Sequence, residues 1–400
     1  MPQNTPDVTV VIGAYDAMPY LVKCLESAEA QTIGRERMEI VAVDDGSTDG
    51  TGEYLEKFAA RTHVPMRVVR QANSGGPGGP RNTGLRLARG RYVFFLDADD
   101  YLGEQALQRL VAMADRAGTD VVLGRTVGVN RNAATSMWGR TVERADIFTS
   151  NVKYTLSAQK LFRRELLVRY GMRFDESLRT GEDALFTLEA YLRGSGVSVV
   201  ADYVCYYLVG REDGKHVTRT GGYAPRFDSA KALMELIARH VPKGRRRDLL
   251  ILRPFAVTLL PQFGSVLLRQ SDQVLRHKME LAAPLMAAYW TPGVARRLKP
   301  EARLRLTCVA LNKPDVLRDV VAFLKAGTPP RHTRRLGRRY AAYPHFRDPS
   351  TGIPDTAYEL REQAWPRTLP RRAARRLLRA ARHTRDRTLR RLSPLIPRRG

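Results

Sequence analysis

The sequence predicts an α/β protein with a mixed, mainly parallel sheet, followed by a helical C-terminal region and a basic tail. Three observations predict it. Short β-branched runs alternate with helix-periodic stretches over residues 8–125. Each of the first two runs ends in glycine or aspartate. The charge is segregated along the chain: residues 1–220 hold 28 Lys+Arg and 28 Asp+Glu, while the rest supplies the whole net charge of +26. Strands separated by helices at this spacing imply crossover connections and a parallel sheet.

Taken in order, residues 8–12 (VTVVI) form a buried-strand run that stops at Gly13. Leu21, Leu25 and Ala28 follow at helical spacing. Residues 39–43 are a second strand, ended by Asp44-Asp45-Gly46, and Ser47 or Thr48 is placed to cap the next helix. Residues 66–69, 91–96 and 120–123 continue the strand series. Helices are expected over 158–170 and 182–192, and strands over 197–200 and 204–208. Residues 225–324 are helical in pattern, with breaks at Pro242, Pro254, Pro261 and Pro292. The four expected parts are residues 1–220, a helical domain 221–326, an irregular or small β-rich module 327–366, and an amphipathic basic tail 367–400.

Length and composition exclude several classes. Four hundred residues with 43% hydrophobic content bury a real core and are not a disordered chain. The three cysteines lie far apart, which argues against a disulfide framework or a zinc ribbon and for a reducing compartment. Residues 1–20 lack the basic and apolar regions of a secretory signal. Residues 249–268 are the most apolar stretch, but Arg253, Pro254, Pro261 and Gln262 interrupt them, so a transmembrane helix is not expected there.

In a parallel sheet, ligands bind beyond the carboxyl ends of the strands. Those ends carry Ala14-Tyr15, Asp44-Asp45 and Asp97-Ala98-Asp99. The run Phe94-Phe95-Leu96-Asp97-Ala98-Asp99-Asp100 places two carboxylates at i and i+2. Converged by a turn, such carboxylates hold Mg²⁺ or Mn²⁺ and leave other positions to phosphate oxygens. The ordinary alternative is a turn in which Asp99 or Asp100 caps a helix starting near Leu102. Asp44-Asp45 can accept hydrogen bonds from a nucleobase imide or ribose, or serve only as a turn. The segment Asn73–Gly84 is glycine-rich; its backbone could approach a ligand closely, and Arg81 could neutralise phosphate. It matches neither a Walker loop nor a dinucleotide fingerprint. Glu182-Asp183 open a helix, where acids suit the dipole or, at a pocket mouth, supply a general base. Arg211 and His216 sit on a loop after the last strand.

In this order, the motifs VVIGAY, VDDGSTDGT, GGPGGPRNTGL, FFLDADD and GEDALF resemble the family-2 glycosyltransferases, enzymes of the GT-A nucleotide-diphospho-sugar transferase fold. The resemblance covers about residues 7–220. It implies a UDP-sugar donor held by Ala14, Tyr15, Asp44, Asp45, Arg81, Asn82, Asp97, Ala98 and Arg211, with Asp45 on the uracil imide and Asp97 on the ribose. It implies Mn²⁺ or Mg²⁺ on Asp99 and His216, as in a DXD motif, and Asp183 as catalytic base with Glu182 beside it. Gly13-Ala14-Tyr15-Asp16 departs from the usual Pro-Tyr-Asn, which touches only the detail of uridine contact.

The layout with a helical C-terminal region is similar to enzymes that glycosylate wall teichoic acids, the poly(ribitol phosphate) N-acetylglucosaminyltransferases of cell wall biogenesis. The expectation is an inverting, metal-dependent hexosyl- or N-acetylhexosaminyltransferase acting on a hydroxyl of a polyol-phosphate or polysaccharide. A basic half suits a polyanionic acceptor. Residues 367–400 hold 13 Arg and one Asp, and their apolar spacing suits an anionic membrane surface. The expected location is therefore cytoplasmic, peripheral on the inner face of the membrane, with a possible homo-oligomer. Nucleic acid is disfavoured because the tail has no aromatic residue for base stacking. The alternative is a basic nucleic-acid or polyanion binding protein on the same scaffold without transfer activity.

Overall fold

The computed structural model describes residues 5–211 and 222–360. His216 and the tail 367–400 lie outside the described residues.

Strand β1 (Val8–Ala14) is the third strand from one edge of the sheet. It is flanked in parallel by β2 (Met38–Asp44) and β4 (Tyr92–Asp97), and β3 (Met66–Arg70) lies outside β2. Helices α1 (Leu21–Glu29), α2 (Thr51–Arg61) and α3 (Gly78–Leu87) make the crossovers. The short strand β5 (Tyr101–Leu102) and helix α4 (Ala106–Ala117) lead to β6 (Val121–Val129). Then come β7 (Leu161–Arg163), helices α5 (Arg164–Arg169) and α6 (Glu182–Arg193), and β8 (Val197–Val209). The eight strands are ordered β3-β2-β1-β4-β7-β6-β8-β5. β7 runs antiparallel to both its neighbours, as β5 does to β8, so the sheet is mixed.

Period-two alternation decides which residues face which layer. In β4, Tyr92, Phe94 and Leu96 pack with α1 and α4, while Val93 and Phe95 pack on the other face. That second face shares one continuous core with the C-terminal helices. These are α7 (Ala224–His240), α8 (Arg245–Arg253), α9 (Asp272–Tyr289), α10 (Pro292–Ala295), α11 (Pro300–Ala310) and α12 (Pro314–Ala326). Residues beyond them form an antiparallel sheet of β9 (Arg331–Arg335), β10 (Arg338–Ala342) and β11 (Glu359–Leu360).

Four local expectations change. Residues 158–170 are not one helix: Leu161–Arg163 is inserted between β4 and β6 as a strand, because Leu161 and Phe162 fill opposite sides of the sheet. No helix begins at Leu102; Tyr101 and Leu102 pair with Tyr207 and Tyr206, and α4 starts four residues later. The cap of α2 is Gly50, in the left-handed region at φ 89°, rather than Ser47 or Thr48, while Asp49 Oδ1 accepts from the Thr51 N–H at 3.0 Å. The strands expected over 197–200 and 204–208 are one strand, β8, whose register against β6 shifts at a bulge.

The helical run Arg245–Arg269 reaches the length and mean hydropathy of a membrane-crossing helix, by composition alone. In the fold it is not one regular helix. Pro254 cannot donate an N–H, and the chain passes into a π turn at Pro254–Leu259 and then into 3₁₀ turns. Leu250, Ile251, Phe255, Leu259, Phe263 and Leu267 are all buried in the shared core. The three cysteines are buried and unpaired with one another.

Candidate active site

Two acidic motifs, with Asp97 and Asp183 86 residues apart, are brought together by their own phenylalanines. Phe95, two residues before Asp97, meets Phe186, three residues after Asp183, with ring centroids 5.7 Å apart in an edge-to-face contact. Phe174 stacks on Phe186 at 4.1 Å and meets Phe95 edge-on at 5.0 Å. Such pairs add about 0.5–1.5 kcal/mol each beyond their buried area. This cluster fixes the carboxyl end of β4 against the amino end of α6. Gly181, at φ 83°, starts α6 so that Glu182 and Asp183 occupy its first turn, where the helix dipole favours negative charge.

Arg81 lies between the two motifs. Its Nη2 donates to Asp97 Oδ1 at 2.8 Å and its Nη1 to Glu182 Oε1 at 3.1 Å. Its guanidinium also covers the Phe174 ring, 5.3 Å from the centroid. Burial works against the Arg81 charge, but Asp97 and Glu182 more than offset this and raise its pKa above the ordinary arginine value. The second Asp97 oxygen accepts from Gln159 Nε2.

A cavity of about 440 Å³ opens beside this arrangement. Asp97, Arg81, Glu182 and Asp183 line it, together with Lys160 and Arg253. Burial raises the Asp183 pKa above the usual aspartate value, while Arg81, Arg253 and Lys160 pull it back. Glu182 is pushed up to about 7, first by burial and then by Asp183. Lys160 is only 2% exposed. Burial pushes its ammonium down to about 7 against the opposing pull of Asp183. Its Nζ donates to the Ser157 carbonyl at 2.5 Å. Arg253 enters from the helical region immediately before the π turn, and its buried Nε has no hydrogen-bond partner among the described residues.

The third aspartate of FFLDADD has a separate task. Asp100 Oδ2 accepts from the buried Tyr206 hydroxyl at 2.7 Å, and Oδ1 accepts from the Val209 N–H at 2.7 Å. Tyr206 Oη in turn accepts from the Asp97 N–H at 3.3 Å. Asp100 thus ties the acidic turn to the end of β8, two residues before Arg211. Burial and its neighbours Asp97 and Asp99 raise its pKa to about 8.

The other expected residues divide into groups. Ala14 and Asp45 meet at neighbouring strand ends, where the Asp45 N–H donates to the Ala14 carbonyl at 2.8 Å. Tyr15 is 52% exposed at this edge. Asp44 is buried, 3.4 Å from Arg70 Nε, and accepts from the Ser47 N–H. The buried Asp45 carboxylate accepts from Gln71 Nε2 at 2.6 Å and from the Ser74 hydroxyl at 2.8 Å. It therefore shapes the loop before α3. Arg211 Nη2 donates to the Asp16 carbonyl at 2.9 Å. Ala98 is buried between the two aspartates. Asp99 faces Asp97, Arg211 and Arg131; burial and Asp97 repulsion raise it to about 6.

Asn82 does not line the cavity. Its Nδ2 donates to the Phe174 carbonyl and to Glu176, and its Oδ1 accepts from the Phe174 N–H. Its amide is consumed in holding the aromatic cluster. The glycine-rich segment is likewise not a ligand loop along its length. Gly78–Leu87 is helix α3, and a Cβ on Gly84 would stand 2.3 Å from Val11 Cγ1. Gly84 serves helix–sheet approach. Gln159, Lys160, Tyr206 and Arg253 escape sequence reasoning, since none lies in a local motif and each reaches the site through tertiary packing.

Residues 9–171 match the profile described as glycosyl transferase family 2, and residues 224–321 match that described as the glycosyl transferase TarS linker domain. Residues 9–171 belong to glycosyl transferase family 2. Over 232 residues the chain is 36% identical to a poly(ribitol-phosphate) beta-glucosyltransferase of Bacillus spizizenii, covering 58% of this chain and 36% of that protein. It is 30% identical to the poly(ribitol-phosphate) beta-N-acetylglucosaminyltransferase TarP of Staphylococcus aureus, covering 50% of this chain and 62% of TarP. The chain spans about a third of the length of the first of these relatives. Crystal structures of S. aureus TarS residues 1–349 share the architecture. The form in complex with UDP-GlcNAc has a TM-score of 0.76 at 27% identity, covering 89% of this chain and 100% of that one. The sheet with its helical C-terminal region is thus the GT-A fold as seen in TarS. The segment that matches family 2 contributes Arg81 and Asp97 to the cavity, Glu182 and Asp183 lie between the two matched segments, and Arg253 lies in the segment that matches the TarS linker.

Proposed function

We propose that this protein is an inverting glycosyltransferase that moves a sugar, N-acetylglucosamine or glucose, from a UDP-sugar to a hydroxyl of a poly(ribitol phosphate) chain. The observation that carries this reading is the half-buried Asp183 carboxylate in one cavity with Arg81 and Asp97. A hydroxyl entering that cavity meets a carboxylate of raised basicity, which takes its proton as the new glycosidic bond forms. One in-line displacement at the anomeric carbon inverts it, so an α-linked donor gives a β-glycoside. General-base assistance of this kind contributes about 10²–10⁴-fold. Arg253, and Lys160 below about pH 7, carry positive charge beside the base and suit a phosphodiester acceptor. Both relatives named above act on poly(ribitol phosphate), which supports the same acceptor here.

The donor set fits a divalent cation. Asp97 and Asp99 are hard oxygen donors, and burial together with Asp97 repulsion raises Asp99, a cost that a cation would relieve. Among the described residues no group of three or more such donors holds a metal alone, so diphosphate oxygens would complete the shell. Mn²⁺ or Mg²⁺ on Asp99 would neutralise charge on the departing diphosphate.

The test is UDP release from UDP-GlcNAc and UDP-glucose, with and without Mn²⁺ and with poly(ribitol phosphate) as acceptor. Acceptor-dependent UDP release with a β-linked product is expected. Donor binding with no release under any acceptor would leave a binding protein on this scaffold and overturn the reading.

A further inference from the structure

Strands β9 and β10 form a hairpin whose sequence opposes its own stability. The turn is Leu336-Gly337, with φ of 46° and 73°. Two consecutive positive φ angles define a type I′ turn, whose first position favours Asn, Asp or Gly. Leucine is a poor choice there, because its Cβ crowds the following carbonyl. Yet Leu336 gains no packing in return, for it is 88% exposed, the most exposed large apolar side chain among the described residues.

The charges behind the tip are equally unfavourable. Arg335 stands opposite Arg338, and Arg334 opposite Arg339. Like charges directly across a β-pair destabilise it. Arg335 and Arg338 have carboxylates within reach, Asp355 at 3.4 Å and Glu359 at 3.7 Å. Arg334 and Arg339 form no ion pair among the described residues, and Arg331 extends the basic surface down the same ladder. The base of the hairpin is firmly held. Tyr340 and Ala341 are buried, and the Tyr340 ring lies 5.6 Å from that of Phe346. A rigid base therefore presents a cationic, apolar-tipped finger.

We propose that this hairpin docks the protein on an anionic lipid surface, with the arginines against head groups and Leu336 entering the acyl boundary. Charge complementarity requires an anionic partner, and the exposed leucine decides which one. A soluble polyanion would reward the arginines but leave Leu336 in water. A lipid interface rewards both. The chain's own residues 367–400, with 13 Arg and one Asp, are repelled by this surface and do not suit it as a cover. The proposal does not depend on the glycosyltransferase reading.

The experiment uses the full chain. The three native cysteines are buried, so an environment-sensitive fluorophore on Leu336→Cys reports the tip alone. Its emission is expected to shift to the blue with phosphatidylglycerol vesicles and to stay unchanged with phosphatidylcholine vesicles. Water-like emission while the protein co-sediments with phosphatidylglycerol would show docking by another surface and overturn the proposal. The same shift with soluble poly(ribitol phosphate) and no vesicles would assign the finger to the polymer instead. Leu336→Asn suits the I′ turn, so it preserves folding and isolates the apolar contact. It is expected to keep the melting temperature or raise it while weakening vesicle partition several-fold. Arg334→Gln and Arg339→Gln are expected to cost about fivefold each, a loss that vanishes at high salt. Unchanged partition in Leu336→Asn would also overturn the proposal.

Discussion

Arg81 and Asp97 are joined at 2.8 Å, and the same guanidinium holds Glu182 at 3.1 Å. One buried cation thus fixes the separation between the acidic turn after β4 and the first turn of α6. Removing one member of a buried ion pair costs about 3–5 kcal/mol, because the partner charge is left uncompensated. Arg81→Ala is expected to lower the unfolding free energy by about that amount and to abolish UDP-sugar binding. Arg81→Lys keeps the charge but cannot bridge two carboxylates with a planar fork, and it should recover part of the stability without the binding. Urea unfolding and calorimetric titration with UDP check both.

Asp183→Asn removes the base and leaves the cavity shape intact. Transfer is expected to fall by about 10²–10⁴-fold while UDP affinity stays within a few-fold of wild type. Single-turnover transfer and UDP titration separate the two effects. A parallel loss of both would assign Asp183 a structural role.

The pH dependence follows from the charges around the base. Burial raises Asp183 above ordinary aspartate values, so the rate should climb with pH through a limb displaced upward from that range. Lys160 keeps its charge below about 7 and stabilises ionised Asp183. Lys160→Met is therefore expected to move the limb to higher pH. Stability runs the other way for Glu182. Its folded pKa of about 7 exceeds the ordinary 4.5. Between these values the folded chain holds a proton that the unfolded chain has released. Stability of the ligand-free protein should thus fall as pH rises across that window. Thermal melts of wild type and Glu182→Gln check this; the slope contributed by residue 182 disappears in the variant.

Asp99→Ala should reduce donor affinity in the presence of Mn²⁺ and have less effect in its absence. Titration of UDP-sugar with and without the ion measures the difference. An unaltered metal response would count against Asp99 as ligand.

Much of the sheet was legible because β1, β2 and β4 are buried on both faces and read as unbroken apolar runs. Strand β7 was not. Leu161-Phe162-Arg163 sits in a stretch with equally good helical periodicity, and only the space between β4 and β6 makes it a strand. The acidic members of the site stood at strand and helix ends, where sequence reasoning looks for them. Gln159, Lys160 and Arg253 were hidden because they reach the site only through tertiary packing. A lysine becomes informative only when its surroundings are apolar, which no local pattern states. Asn82 shows the converse. It adjoins Arg81 in sequence, but its amide turns to Phe174.

Gly84 offers a test of how the sheet carries this site. Its missing Cβ lets α3 lie directly on β1, and an added methyl would sit 2.3 Å from Val11 Cγ1. Val11 is fully buried near the middle of β1. Overpacking of this kind costs about 1–3 kcal/mol. The displacement cannot stay local, because α3 also carries Arg81. Gly84→Ala is expected to lower stability by that amount and to weaken UDP-sugar binding, although residue 84 touches no ligand. Val11→Ala restores the space. Combined with Gly84→Ala, it should recover binding more fully than the sum of the single effects predicts, a coupling that a double-mutant cycle reads directly.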